Sequence, residues 1–160
     1  MTLACKVIKA LDGRTVATAE SCTGGMIGGL LTGVPGASRV FKGGVISYTN
    51  EIKNRLLGVD AELLETRGAV SAPVAEAMAR GARAALGTDL AVSVTGLAGP
   101  GGDEYGNPVG TVFIGYADQN AVLAEEYHFP GDREEVRQQA VRAALKLILR
   151  MREGKQEEIL

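Results

Sequence analysis

The sequence predicts an α/β protein, a three-layer α/β/α sandwich built on a mixed β-sheet in a single domain. Strand-like apolar runs alternate with helical patterns through the N-terminal part of the chain, the order that produces a parallel sheet covered by helices. Two further strand-like runs joined by a polar turn then indicate a hairpin, and a long amphipathic helix follows. The length of 160 residues suits one domain, and no linker or internal repeat divides it.

Hydrophobic periodicity and turn residues predict each element in order. In chain order we expect a helix over residues 3–11, a buried strand over 15–19, a helix over 26–31, a strand over 40–49, a helix capped by Asn50 and ended by Gly58, a helical turn over 62–66, a helix over 74–86, a strand over 89–95, strands over 109–116 and 121–129, and a helix from about Asp132. The clearest helix has Ser71 as its N-cap, Pro73 in its first turn and Gly87 at its end. The charged tail, residues 153–160, is expected to fray.

Composition and charge exclude several classes of protein. Apolar residues make up 46% of the chain and charged residues 22%, which is typical of a folded globular domain. Seventeen Lys and Arg against nineteen Asp and Glu leave a net charge of -2, so we expect neither a nucleic-acid nor a membrane partner. The N-terminus lacks the pattern of a signal peptide. Cys5 and Cys22 form neither a disulfide framework nor a zinc motif, so a cytoplasmic protein without a metal is expected.

The strand-to-helix junction at Ser21 is the first candidate for chemistry. Its predicted position is the carboxyl edge of the sheet, where open α/β folds bind ligands. The N–H groups of Thr23, Gly24 and Gly25 would then lie at a helix N-terminus and be directed at negative charge. A hydroxyl beside such donors combines a nucleophile with an oxyanion hole, as acyl transfer requires. The alternative is a simple N-cap with closely packed glycines, and no GxSxG pattern is present.

A serine nucleophile needs a base, and the composition restricts the choice. The single histidine, His128, lies late in a predicted strand, where a lone histidine is more often a surface or packed residue. A lysine with a lowered pKa is the other recurrent base. Lys53 near the start of a helix is the candidate and Lys42 competes with it, although spacing alone favours a solvated helix face for Lys53. Cys22 is a rival nucleophile, because a helix N-terminus lowers the pKa of a thiol.

Two further segments are candidates for binding a phosphate. The glycine-dense loop 96–102 follows a strand, and its glycines let backbone N–H groups approach a ligand, although the loop is neither a Walker A nor a GxGxxG motif. Arg133 and Arg137 lie four residues apart near the N-terminus of the last helix, where two guanidinium groups can clamp a phosphate. An ordinary loop and pairing of the arginines with neighbouring acids are the alternatives.

Five segments together carry a family resemblance. They read Ala-Glu-Ser-Cys-Thr-Gly-Gly at 19–25, Gly-Val-Ile-Ser-Tyr-Thr-Asn-Glu-Ile-Lys at 44–53, Gly-Ala-Val-Ser at 68–71, Thr-Gly-Leu-Ala-Gly-Pro at 95–100 and Pro-Val-Gly-Thr-Val at 108–112. In this order the chain resembles the C-terminal domain family of the competence/damage-inducible protein CinA, from about Leu3 to Arg150. The resemblance implies a nicotinamide-nucleotide amidase, which converts nicotinamide mononucleotide to nicotinate mononucleotide and ammonia without a metal or another cofactor. It also implies one such domain over 1–160, in a stand-alone form without the N-terminal domain of longer relatives.

The resemblance also assigns roles to individual residues. The nucleophile of the family falls on Ser21, its lysine base on Lys53, and the tyrosine of its Ser-Tyr-Thr segment on Tyr48. Its substrate-binding positions fall on Thr95, on the loop glycines Gly96 and Gly99, and on Arg133 or Arg137. The loop Asp103–Asn107 departs from the shorter Gly-Gly-Thr pattern of the family and lacks its lysine before Pro-Val-Gly-Thr, so the role of this loop does not follow from the resemblance.

The predicted function is therefore that of a serine–lysine amidohydrolase that forms an acyl-enzyme at Ser21. Lys53 would take the hydroxyl proton and later return one to the departing ammonia. A non-catalytic nucleotide-binding or competence-related partner module is the alternative, although such a module needs neither Ser21 nor Lys53. A thiol enzyme that uses Cys22 is a third hypothesis. A homodimer is also expected, since small α/β domains commonly form symmetric dimers.

Overall fold

Five β-strands and six α-helices form along the chain in the computed structural model, which describes residues 1–159 and side chains as far as residue 154. In chain order these elements are α1 (Leu3–Ala10), β1 (Val16–Glu20), α2 (Met26–Thr32), β2 (Phe41–Ile46), α3 (Asn50–Leu57), α4 (Ala61–Arg67), α5 (Ala72–Leu86), β3 (Leu90–Gly96), β4 (Thr111–Asp118), β5 (Val122–His128) and α6 (Arg133–Ile159). A 3-10 turn at Ala37–Arg39, which the sequence pattern does not predict, connects α2 to β2. Each predicted helix and strand is present.

The strands form one mixed sheet in the order β2-β1-β3-β4-β5. β1 is parallel to both β2 and β3, while β4 runs antiparallel to β3 and to β5. The carboxyl ends of β1, β2 and β3 therefore meet at one edge of the sheet, where Glu20, Ile46 and Gly96 are the last strand residues. Residues that directly follow these strands become spatial neighbours although they are far apart in sequence.

Helices cover both faces of the sheet, which confirms the predicted three-layer sandwich. α1, α2 and α6 contact one another on one face, and α3, α4 and α5 contact one another on the other. The first layer buries a core that includes Leu31, Ile114 and Leu145. The second layer is smaller, and its core includes Leu57 and Met78. Burial of these apolar side chains on both faces is what keeps the helices against the sheet.

One predicted helix cap is wrong, and a second lacks a capping hydrogen bond. Thr49, rather than Asn50, caps α3, because its side chain accepts a hydrogen bond from the Ile52 N–H. This shift follows from β2, which ends at Ile46 and not at residue 49. Ser71 is the N-cap of α5 as predicted, but its hydroxyl donates to the Gly68 carbonyl and makes no capping bond.

The C-terminal helix is longer than the sequence pattern indicates. α6 continues to Ile159, so the predicted frayed tail, residues 153–160, is helical over the part that the structure describes, and Leu160 lies outside the described residues. Fraying of this segment in solution stays a prediction. Among residues 1–159, no helix combines the length and the apolarity that crossing a membrane requires.

Candidate active site

The structure brings the side chains of Ser21 and Lys53 into direct contact. Ser21 follows β1, and its own N–H donates to the Val94 carbonyl on β3, which fixes the backbone of the serine at the sheet edge. Lys53 lies one turn into α3 and points toward the sheet. Its Nζ lies 3.0 Å from Ser21 Oγ and 2.9 Å from the Ser47 carbonyl oxygen. These distances allow proton exchange between the amine and the hydroxyl.

Burial changes the acid–base behaviour of this amine. Only 1% of the Lys53 surface is exposed, which is unusual for a lysine. Removal from water penalises the ammonium form and lowers the pKa of Lys53 to about 8, with a small opposing effect from Cys22. The neutral amine, which can accept a proton, is therefore a much larger fraction near physiological pH than it is for an ordinary lysine. The prediction from spacing alone, that Lys53 lies on a solvated helix face, is therefore wrong.

The N-terminus of α2 is occupied by a side chain of the protein itself. The buried carboxylate of Glu20 accepts hydrogen bonds from the N–H groups of Ile27 at 2.9 Å and Gly28 at 3.0 Å. It also accepts a bond from the Thr23 hydroxyl at 2.8 Å. An anionic ligand at this helix end would meet the charge of Glu20, so the expectation that the end is open to a ligand is wrong.

None of the three predicted donor residues, Thr23, Gly24 and Gly25, lines the cavity. The Gly24 N–H donates to the Ser21 carbonyl at 3.0 Å, which closes the turn. The Thr23 side chain is fully buried against Glu20 and does not line the cavity. Gly25 is the N-cap of α2 with φ of 102°, a conformation that favours glycine, and it lies near Ile46 outside the cavity.

A cavity of about 280 Å³ opens over Ser21 and Lys53. Six segments contribute its walls: the turns after β1 and β2, α3, the connection between α4 and α5, the end of β3 with the loop after it, and the start of α6. Its lining residues are Ser21, Cys22, Tyr48, Asn50, Lys53, Ala69, Val70, Thr95, Gly96, Leu97, Ala98, Gly99, Gly101 and Arg133. A larger, mostly apolar groove of about 680 Å³ lies between α1, α2 and α6, but it contains none of the predicted site residues.

Arg133 and Tyr48 form the rim of the cavity. The Arg133 guanidinium donates to the Tyr48 hydroxyl at 3.0 Å and to the Gly99 carbonyl at 2.7 Å. Tyr48 is 57% exposed, and its hydroxyl has no bond to Lys53. Arg137 lies one turn further along α6, and its Nε donates to the Cys22 carbonyl at 2.9 Å. Of the two arginines, Arg133 lines the cavity and Arg137 supports the turn behind Ser21.

Thr95 and its neighbouring glycine shape the cavity wall. The Thr95 hydroxyl donates to the Ala69 carbonyl at 2.8 Å, which ties β3 to the segment before α5. A Cβ at Gly96 would lie 2.6 Å from the Val112 side chain and 2.9 Å from the Thr111 carbonyl, so only glycine fits there. Both residues line the cavity, as does Gly99.

The loop over residues 103–107, whose sequence departs from the pattern of the family, lies behind the cavity. The Asp103 carboxylate accepts hydrogen bonds from the N–H groups of Tyr105 and Asn107 and from the side-chain amide of Asn107. Desolvation is the largest single effect and raises the pKa of this half-buried carboxyl, but the hydrogen bonds together hold the pKa below its usual value. The Asn107 amide donates to the Val70 carbonyl. None of the five loop residues lines the cavity, and the Asn107 bond connects the loop to Val70, which does.

The rival catalytic residues are placed differently from Ser21 and Lys53. Cys22 lines the cavity but is buried, and desolvation raises the pKa of its thiol to about 11 in spite of the nearby Arg137. The expected lowering of that pKa by the helix end is therefore wrong. His128 lies on the edge strand β5, pairs with Glu126 and does not line the cavity. Lys42 is exposed and donates to the Ser38 carbonyl.

Within the described side chains, no group of three or more His, Cys, Asp or Glu gathers in a way that could hold a metal ion.

Two buried residues near the site, Glu20 and Ser47, are not among the predicted site residues. Glu20 shows no sequence signal for its role, because a helix is usually capped by the residue next to it and not from the preceding strand. The sequence singles out Ser47 only as the first residue of the Ser-Tyr-Thr segment.

Comparison with known proteins points to one family. A sequence model of the CinA C-terminal domain matches residues 2–152. A CinA-like protein of Geobacter metallireducens is 56% identical over 125 residues, which cover 78% of this chain and 30% of that protein. A CinA-like protein of Mycolicibacterium gilvum is 48% identical over 150 residues, which cover 93% of this chain and 36% of that protein. The chain thus spans well under half the length of these curated relatives.

Solved structures show the same fold. A crystal structure of a competence-damaged protein (CinA) superfamily protein from Klebsiella pneumoniae is 34% identical, with a TM-score of 0.92 and coverage of 95% of this chain and 96% of that one. The competence/damage inducible protein CihA from Agrobacterium tumefaciens is 43% identical, with a TM-score of 0.88 and coverage of 92% of each chain.

Proposed function

This chain belongs to the CinA C-terminal domain family, and we propose that it is an amidohydrolase that converts nicotinamide mononucleotide to nicotinate mononucleotide and ammonia. The observation that carries the proposal is the 3.0 Å contact between Ser21 Oγ and the buried amine of Lys53. A purely structural role does not explain it, because burying a lysine without a carboxylate partner costs stability. A base with a pKa of about 8 beside a hydroxyl is the pair that acyl transfer requires.

The proposed reaction begins with a proton transfer. Neutral Lys53 takes the proton of the Ser21 hydroxyl while Oγ attacks the carboxamide carbon, and a C–O bond forms. Collapse of the tetrahedral intermediate breaks the C–N bond, and the Lys53 ammonium gives its proton to the leaving ammonia. A water molecule then attacks the acyl carbon while Lys53 takes one of its protons. The C–O bond to Ser21 breaks as Lys53 returns that proton to Oγ, and the released acid ionises to the carboxylate. General base catalysis of this kind contributes roughly 10²–10⁴-fold to the rate.

The developing oxyanion needs a donor, and the turn after Ser21 offers one beside the nucleophile. In the described part of the chain the backbone N–H of Cys22 donates to no other residue, and Cys22 lines the cavity next to Ser21. We propose that this N–H stabilises the oxyanion. Backbone donors fixed by a tight turn need no reorganisation during the reaction.

Arg133 is the residue proposed to bind the phosphate of the substrate. Its guanidinium lines the cavity, and its present partners, the Tyr48 hydroxyl and the Gly99 carbonyl, are uncharged groups that a phosphate can replace. Charge-assisted bonds to phosphate are stronger than these neutral ones. Binding energy gained at the phosphate would then help to hold the carboxamide at Ser21.

The proposed enzyme also has an expected compartment, cofactor requirement and oligomeric state. It would act in the cytoplasm on a small-molecule substrate, without a cofactor, and as a homodimer. Both cysteines among the described residues are free thiols, which suits a reducing compartment. The non-catalytic partner module stays the alternative, and it predicts ligand binding without turnover.

The test is ammonia release from nicotinamide mononucleotide by the purified protein, with and without a chelator. We expect turnover that the chelator does not change and that Ser21→Ala reduces to background. Cys22→Ala is the matched control next to it, because its protonated thiol has no part in the reaction, and we expect its kcat to stay within about threefold of wild type. Full activity of Ser21→Ala, or loss of activity in Cys22→Ala alone, would overturn the serine mechanism.

A further inference from the structure

The hydroxyl of Ser47 is an exception among the buried polar groups. Among the described side chains, its Oγ is the one buried nitrogen or oxygen that has no hydrogen-bond partner. The residue is fully buried, so bulk water does not reach it either. A buried hydroxyl without a partner destabilises a protein, and replacement by an apolar group would remove that cost.

The backbone of Ser47 is fixed beside the catalytic pair. It directly follows β2, and its N–H donates to the Glu20 carbonyl at 2.9 Å, one residue before Ser21. Its own carbonyl accepts the bond from Lys53 Nζ at 2.9 Å. The unpartnered hydroxyl therefore belongs to the residue that already anchors the amine, and rotation about a single side-chain torsion reorients it without any backbone movement.

The number of donors on Lys53 changes during the proposed reaction. A neutral amine has two N–H groups and one lone pair, so the Ser47 carbonyl and the Ser21 hydroxyl nearly satisfy it. The ammonium has three N–H groups and no acceptor capacity. Among the described residues, Nζ has two acceptors, Ser21 Oγ and the Ser47 carbonyl oxygen. One N–H of the ammonium would thus be left without a partner in a buried site.

No other charged group around the amine can take that role. The cavity is lined by the Cys22 thiol from the turn after β1, by Tyr48 from the turn after β2 and by Arg133 from α6. Asn50 of α3, the segment before α5 and the loop after β3 contribute uncharged residues to this lining, and no carboxylate of the described residues is part of it. The ammonium has no anionic partner, so an additional hydrogen-bond acceptor matters more.

We propose that Ser47 is a positioning residue whose hydroxyl accepts the third hydrogen bond of Lys53 when the amine is protonated. The inference rests on the proposed amidase function. The proton comes from the Ser21 hydroxyl as the C–O bond forms, resides on Nζ while the Ser47 hydroxyl rotates toward it, and leaves with the ammonia as the C–N bond breaks. Ser47 gains and loses no proton in this sequence.

The test compares Ser47→Ala with Ser93→Ala. Ser93 is an equally buried serine whose Oγ has a partner, the Ala75 carbonyl at 2.6 Å, and which lies outside the cavity lining. At about pH 10, where Lys53 is neutral, loss of the Ser47 hydroxyl should leave the Tm unchanged or higher. It should also lower kcat about tenfold and shift the pKa of Lys53 down by about one pH unit. Ser93→Ala should do the opposite, with a lower Tm and an unchanged kcat and pH profile. Ser47→Thr, which keeps a hydroxyl, should restore kcat.

Direct titration of Lys53 separates this inference from the proposed function. The chemical shift of its side-chain carbon next to Nζ, assigned by its absence in Lys53→Arg, can be followed between pH 6 and pH 11 without any substrate. The same titration midpoint in Ser47→Ala and wild type would overturn the inference, even if the protein is an amidase. A lowered midpoint in a protein without amidase activity would support the hydroxyl as a partner of the ammonium and refute the proposed function. If Ser47→Ala does not fold, Ser47→Cys, whose thiol is a weak acceptor, tests the same step.

Discussion

Burial of Lys53 lowers the stability of the folded protein at neutral pH. The amine has a pKa of about 8 in the folded state and 10.5 in an ordinary exposed setting. Between these values the unfolded state binds more protons than the folded state, so the stability contributed by this residue rises with pH in that window. Below about pH 8 both states carry the charge, and the full cost of burying it, about 3 kcal/mol, is present.

This cost predicts that removing the charge stabilises the protein and inactivates it. We expect Lys53→Met to raise the Tm at pH 7 by roughly 2–6 °C, because the gain from an uncharged side chain exceeds the loss of two hydrogen bonds. The advantage over wild type should shrink as the pH rises from 7 to 10, since wild-type Lys53 loses its charge over that range. Thermal melts of both proteins across this pH range measure the difference.

Lys42→Met is the matched control for that experiment. Lys42 is exposed and donates only to the Ser38 carbonyl, so its replacement should change the Tm by little and equally at every pH. A Tm difference between Lys53→Met and wild type that stays the same from pH 7 to pH 10 would mean that the amine is not held against a desolvation cost.

At the scale of the element, α2 depends on a carboxylate that precedes it in the chain. A helix leaves its first N–H groups without partners, and α2, which starts at Met26, has no capping side chain at Gly25. Glu20 supplies both missing bonds from the end of β1, through Ile27 and Gly28. The five residues between the end of β1 and the start of α2 form the turn that holds Ser21. The same carboxylate therefore fixes the helix and the shape of the turn.

Glu20→Gln should therefore destabilise the protein. A neutral amide has only one acceptor oxygen, and its NH2 group would face an N–H donor that now lacks a partner. We expect the free energy of unfolding to fall by about 2 kcal/mol, measured by urea denaturation. Glu51→Gln removes a carboxylate whose ion pair with Arg55 is exposed, and it should change that free energy by less than about 0.5 kcal/mol. Equal effects of the two substitutions would show that Glu20 does not cap α2.

These elements show where sequence reasoning succeeds. Helices and strands with clear periodicity, such as α5 and β3, could be predicted because local side chains specify them. The role of Glu20 could not, since its carboxylate meets N–H groups seven and eight residues away only once the turn has formed. The predicted cap of α3 differs from the observed one by one residue for a related reason. The end of β2 is set by its pairing with β1 and not by the end of its apolar pattern.

At the scale of the whole molecule, the site depends on the topology of the sheet. Ser21 and Lys53 are separated by 32 residues and meet because β1 and β2 are parallel neighbours. The sequence could name both residues but could not choose between Lys53 and Lys42, because that choice depends on which face of α3 packs on the sheet. Family resemblance supplied the pairing, and it left Arg133 and Arg137 unresolved since both lie on the same face of α6.

The positions of Arg133 and Arg137 predict that their replacements have different effects. Arg133 lines the cavity, so Arg133→Ala should lower kcat/KM for nicotinamide mononucleotide roughly 10- to 100-fold and leave kcat/KM for nicotinamide riboside, which lacks the phosphate, nearly unchanged. Arg137 holds the Cys22 carbonyl, so Arg137→Ala should lower the Tm by about 2–4 °C and affect both substrates alike. Steady-state kinetics with the two substrates, together with thermal melts, separate these outcomes. If Arg137→Ala were the variant that lost discrimination between the substrates, the phosphate would bind behind Ser21 rather than at the rim, and the role proposed for Arg133 would be wrong.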